Sequence, residues 1–167
     1  MPKADKLYLV GFMGAGKTTL ARALAARVGW KMVDVDEWIE QRERRTIADI
    51  FRERGEPYFR AVEREAVRAL LPERHAVVAT GGGPLADPAT RAALLADGTG
   101  VWIDVPFSAI VERVPSDGRR PLAADRAAFE ALYLARCAAY RNAHIRLDGT
   151  LGPAADLVER LLDRLGW

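Results

Sequence analysis

Apolar residues run Leu7-Tyr8-Leu9-Val10, give way to a glycine-rich stretch, and return as Leu20, Leu24 and Val28 at helical spacing. That is the pattern of a buried strand turning into a helix. Gly29 stands where a glycine closes such a helix, and Trp30–Val33 reads as the next strand, running into Asp34-Val35-Asp36. Strand, loop, helix, strand opens a βαβ unit, so the loop and the two aspartates share the carboxyl-end rim where parallel α/β sheets bind ligands.

A charged, helical region follows. Glu37–Arg45 forms one helix, Thr46-Ile47-Ala48-Asp49 has the form of a capping box opening a second, and Gly55 stops it. Pro57 suits the first turn of a third helix that reaches Leu71, ahead of Pro72. Ala76–Ala79 is a short apolar strand of the buried parallel type and ends in Thr80-Gly81-Gly82-Gly83-Pro84. Beyond it come a helix Asp87–Asp97 closed by Gly98, a strand Gly100–Val105, a short helix Pro106–Val114, a long helix Asp125–Ala143, a strand His144–Leu147 and a closing helix Pro153–Leu165. Pro115–Leu122 breaks the periodicity with turn-formers and the pair Arg119-Arg120, and reads as a mobile lid. The expectation is a single α/β domain over residues 1–167.

The stretch Gly11-Phe12-Met13-Gly14-Ala15-Gly16-Lys17-Thr18-Thr19 fits G-x-x-x-x-G-K-[ST] in the required strand–turn–helix context. Such a loop presents backbone N–H groups to phosphate oxygens, aided by the positive end of the helix dipole. Lys17 then reaches the β- and γ-phosphates, and the Thr18 hydroxyl is placed to ligate Mg²⁺. Three consecutive glycines at 81–83 cost too much chain entropy for an incidental turn and point to close backbone approach to a ligand. Arg60 and Glu63, three apart, share a helix face, a spacing that equally describes a solvated ion pair.

Composition narrows the partners. The chain has 167 residues, half of them hydrophobic, and a net charge of +2. Neither a basic run that would track a nucleic-acid backbone nor a span long enough to cross a bilayer is present, so small anionic ligands fit better. The single Cys137 excludes an intramolecular disulfide, and no Cys/His cluster has zinc spacing. Met1-Pro2-Lys3-Ala4-Asp5-Lys6 is charged, with no apolar leader core, and cytoplasmic residence is expected.

Taken together, the phosphate loop, Asp34-x-Asp36, Phe59-Arg60-x-x-Glu63, Gly81-Gly82-Gly83, Arg120-Pro121-Leu122 and Arg136-x-x-x-Tyr140 resemble the shikimate kinase family, in its motif order and over nearly the whole chain. The resemblance implies a P-loop NTPase of nucleoside-monophosphate-kinase-like, three-layer α/β form. Its parallel sheet would have five strands in order 2-3-1-4-5, with substrate-binding helices at about 34–62 and the lid at about 113–125. It implies ATP-dependent phosphorylation of the 3-hydroxyl of shikimate, with Mg²⁺, by a monomer. Gly14, Ala15, Gly16, Lys17, Thr18, Thr19, Arg113 and Arg120 would hold ATP, with Lys17, Asp36 and Arg120 catalytic. Asp36, Arg60, Glu63, Gly81, Gly82, Gly83 and Arg136 would hold the acceptor, and Thr18 and, through water, Asp34 the metal. Asp34 also suits a plain cap at a strand end, and Arg113 an exposed helix position. The stretch Leu147–Pro153 lacks an arginine found near the adenine in some relatives.

Two rivals are weaker. A gluconate-type kinase of the same fold would need the phosphate loop but does not account for the two arginines together with the triple glycine. A nucleotide-dependent switch would leave the clamp and lid idle, and the chain has no Asn-Lys-x-Asp guanine-reading motif.

Overall fold

The computed structural model describes residues 4–114 and 125–167; the lid segment Pro115–Leu122, with Arg119 and Arg120, lies outside them. Five strands, β1 (Lys6–Val10), β2 (Lys31–Asp34), β3 (Ala76–Ala79), β4 (Thr99–Asp104) and β5 (Ile145–Asp148), form one parallel sheet in the order β2-β3-β1-β4-β5. Asp34 of β2 pairs with Ala79, which also faces Leu9; Leu9 pairs with Val101, and Val101 with Ile145, so one rung crosses all five strands. The central strands β1 and β3 are buried along their whole length, while edge strand β5 alternates buried and exposed residues.

Eight helices are described: α1 (Lys17–Val28), α2 (Val35–Glu43), α3 (Ile47–Arg54), α4 (Glu56–Leu70), α5 (Pro88–Asp97), α6 (Phe107–Arg113), α7 (Arg126–Tyr140) and α8 (Ala154–Leu165). α1 packs on α8, and α4 on α2 and α3. α7 packs against a short 3₁₀ turn, Pro84–Ala86, that follows the glycines.

Two boundaries differ from expectation for clear reasons. Helix α2 starts at Val35 rather than Glu37, because the Asp34 carboxylate accepts the Glu37 N–H at 3.0 Å and caps it. Asp36 therefore sits in a helical first turn, not on a strand extension. The capping box at Thr46 is only half formed. Its hydroxyl accepts the Asp49 N–H, while Asp49 itself pairs with Arg52 at 2.5 Å and Glu40 from α2 takes the Ile47 N–H.

At the rim where the strands begin, Lys6 is fully buried. Its ammonium donates to the Leu70 and Leu71 carbonyls at the end of α4, each at 2.9 Å, and to Asp97 at 2.7 Å. Tyr8 and Arg74 also donate to Asp97, at 2.5 and 3.0 Å. Burial pushes the Asp97 carboxyl upward, but these three donors outweigh it and hold it below the usual carboxylate range.

Candidate active site

The phosphate loop joins β1 to α1, and its geometry requires glycine. Gly16 caps α1 with φ 95°, and Gly14 has φ 80°. A Cβ on Gly14 would also stand 2.8 Å from the Val114 side chain. Behind the loop, the Phe12 ring packs on Phe129 and Tyr133 of α7 at 5.1 and 5.3 Å, which ties the turn to the core. Ala15 is buried, its N–H donated to Phe12 O, and Thr19 is exposed. α1 carries no side-chain cap, leaving its first turn suited to an anion.

Lys17 folds across the loop and donates to the Gly11 and Phe12 carbonyls at 2.8 and 2.9 Å. Thr18 donates its hydroxyl to Asp34 at 2.5 Å, so Asp34 serves both this hydroxyl and α2. With Asp36, Thr80 and Gly82, these residues line a cavity of about 230 Å³.

A second cavity, of about 220 Å³, adjoins it and is lined by Arg60, Glu63, Gly83 and Arg136 among others. Glu63 accepts from Arg60 at 3.1 Å, and their side chains are 4% and 21% exposed, so this is not the solvated pair that spacing alone allowed. The second Glu63 oxygen is buried with no hydrogen-bond partner among the described residues. The glycines lie among these groups. A Cβ on Gly81 would come 2.8 Å from that oxygen and 3.1 Å from the Asp36 carboxylate; one on Gly83 would overlap the Arg60 guanidinium and lie 3.0 Å from that of Arg136. The triple glycine thus makes room first for side chains, where the sequence suggested a ligand alone.

Electrostatics strain this cluster. Burial, with a contribution from the charge on Asp36, raises the Glu63 pKa against the pull of Arg60 and Arg136. Burial and the neighbouring Arg60 charge lower that of Arg136. Two guanidiniums beside one cavity are the arrangement a carboxylate ligand relieves, through paired charge-assisted bonds. Arg136 itself makes a long contact, 3.4 Å, to the Gly82 carbonyl, which also accepts from Tyr140 at 2.5 Å. Tyr140, which the motif names without a role, stands one turn beyond Arg136, and that spacing is the sequence signal for the shared contact.

Arg113 is exposed and donates to Gly14 O at 3.3 Å, over the phosphate loop. The 148–150 turn is held by Asp148, which accepts the Thr150 N–H at 2.9 Å. Cys137 is buried on α7.

Sheet order, phosphate loop and an arginine-lined cavity at one rim are those of a small-molecule kinase of the P-loop class. A family model for shikimate kinase matches residues 13–166. A shikimate kinase from Persephonella marina is 38% identical over 95% of this chain and 98% of its own length. One from Mycobacterium tuberculosis is 40% identical over 97% and 94%. The solved shikimate kinase from Acinetobacter baumannii, in complex with shikimate, superposes with a TM-score of 0.92 at 34% identity, covering 96% of this chain and 92% of that one. This chain belongs to the shikimate kinase family.

Proposed function

We propose that the chain transfers the γ-phosphoryl group of ATP to the 3-hydroxyl of shikimate, giving shikimate 3-phosphate and ADP, in the synthesis of chorismate and the aromatic amino acids. The observation that carries this reading is the meeting of Arg60 and Arg136, from separate helices, at Gly83 beside the phosphate loop. A hydroxyl-only acceptor would have no use for that doubled positive charge.

Phosphoryl transfer asks the protein mainly for positioning and charge neutralisation. In this reading the amides of Gly14 to Thr19 cradle the phosphates, and Lys17 exchanges its two loop carbonyls for phosphate oxygens. Arg60 and Arg136 fork onto the shikimate carboxylate. Glu63 orients Arg60, and its unpaired oxygen accepts from the acceptor or from a water it orders. Gly81, Gly82 and Gly83 line the ring, while Asp36, beside Gly81, orients the attacking hydroxyl and takes its proton. Arg113 flanks the nucleotide from α6, and Arg120, outside the described residues, is assigned to the phosphates.

The donors Thr18 and Asp34 fit Mg²⁺, a hard cation that takes one or two protein oxygens and completes its shell with phosphate and water. When bound, the ion would supply charge neutralisation across the β- and γ-phosphates. Cytoplasmic residence, a monomeric state, and no engagement of nucleic acid or membrane belong to the same reading; no described helix is long and apolar enough to cross a membrane.

The test is ADP release followed with shikimate, with gluconate and with no acceptor. Release that depends on shikimate is the expected result. Gluconate-dependent or acceptor-independent release would overturn the proposal in favour of a sugar-acid kinase or an ATPase.

A further inference from the structure

Arg136 and Tyr140 lie one turn apart on α7 and therefore share a face. Both reach a single atom, the Gly82 carbonyl oxygen: Tyr140 through a 2.5 Å hydroxyl bond, Arg136 through a 3.4 Å contact from Nη1. Tyr140 is 1% exposed, and its ring is fixed against Trp102 of β4 at 6.1 Å, so the hydroxyl has little freedom to look elsewhere. Arg136 is 9% exposed, and among the described residues the long contact to Gly82 is its hydrogen bond. A buried guanidinium short of acceptors is drawn to the nearest oxygen. Gly82 also borders the phosphate-loop cavity, while Arg136 lines the acceptor cavity next to it.

Building on the acceptor reading above, we infer that Tyr140 is a positioning residue: its hydroxyl takes the short bond to the Gly82 carbonyl, holds Arg136 to the long one, and so keeps the Arg136 fork available to the acceptor carboxylate. Without that hydroxyl, Arg136 closes onto Gly82. An acceptor must then break this contact before it can bind, and the cost falls on acceptor affinity. Nucleotide contacts and the chemical step are left alone.

The experiment is steady-state kinetics on Tyr140→Phe, with Tyr133→Phe as the matched control. Tyr133 is also on α7 and donates its hydroxyl to a backbone carbonyl, Val105 O at 2.8 Å, so both variants lose the same kind of bond. In Tyr140→Phe the shikimate KM is expected to rise about tenfold, one missing charge-assisted bond's worth. Its kcat should stay within about twofold and its ATP KM should be unchanged, with no shikimate KM change in Tyr133→Phe. Equal shikimate KM in both variants, with only melting temperature lowered, would reduce Tyr140 to a structural tie. In an Arg136→Ala background, Tyr140→Phe should add nothing further to the shikimate KM; independent addition of the two losses overturns the inference. Should the Phe variant fail to fold, 4-aminophenylalanine at position 140 keeps the ring with a weaker donor. A severalfold KM rise is then expected, and an unchanged KM overturns the inference. If wild type itself does not turn over shikimate, the acceptor reading falls and takes this inference with it. Normal wild-type turnover with an unaltered Phe variant removes the inference alone.

Discussion

The two rims of the sheet both bury charge, and they complete it differently. Where the strands begin, Lys6 has three acceptors and Asp97 three donors, all from the chain itself. Where the strands end, among the described residues one Glu63 oxygen is buried without a hydrogen-bond partner and Arg136 has a single long contact of 3.4 Å. Desolvating charge costs free energy in either place. A network closed on itself returns that cost as stability of the fold; one left open holds it until a ligand of matching charge arrives. Under the proposed function, the contrast separates a structural cluster from a binding one without reference to motif.

The largest effect that would sharpen this contrast is at the open rim. Lys17→Ala should lower kcat by about a thousandfold, as removal of a preorganised charge from a transferring group does. Its two loop-carbonyl bonds are together worth about 2 kcal/mol in net stability, so thermal unfolding should shift by roughly 4–8 °C. Loss of folded circular dichroism in place of activity would erase the distinction between the rims.

Asp97→Asn asks the converse question. It leaves the Lys6 ammonium buried beside a neutral amide, and denaturant unfolding should show a loss of about 3 kcal/mol, with shikimate turnover of the folded fraction intact. Asp97 has a lowered pKa in the fold, so its contribution is present above the ordinary carboxylate range and lost as pH falls through the folded value. The wild-type advantage over the variant should accordingly shrink on acidification. A pH-independent gap would mean that the network is held by shape and not by charge.

The smallest effect belongs to Glu63→Gln. Shikimate KM should rise severalfold as Arg60 loses its orienting charge. Stability behaves oppositely to Asp97, because the Glu63 pKa is raised chiefly by burial. Its favourable share is complete below the ordinary glutamate pKa and is lost as pH rises through the higher folded value. The ligand-free variant should therefore gain on wild type in unfolding experiments as pH goes up. A variant that loses ground at high pH would place Glu63 with the closed cluster.

Short-range order was legible in the sequence. The apolar runs located all five strands, and the phosphate loop was visible because its chemistry is contiguous. What escaped depended on distant partners. Lys6 reads as one more charge in a polar terminus until Asp97, 91 residues on, is beside it. Arg60 and Glu63 have the spacing of any surface pair, and only the packing of α4 under the glycines buries the glutamate. Asp34 does end β2, as expected; what escaped is that its carboxylate also caps α2 and starts that helix at Val35, because propensity does not reveal how a capping bond competes with strand extension.

The rung through Asp34, Ala79 and Leu9 carries a further consequence, for how the chain tolerates insertions and deletions. Asp36, in the first turn of α2, and Gly81 and Gly11, in the turns that leave β3 and β1, each follow that rung by two residues, so the site is levelled by a short count from three parallel strands. One residue added or removed there turns a group by about 100° where the chain is helical, or moves it by about 3 Å where it is extended, enough to break a hydrogen bond. The same change in the segments that lead into the strands, such as 71–75, slides no reacting group. Length variation accumulated by lineage or by engineering is therefore expected to collect at the entry rim, with the exit rim held to a constant count.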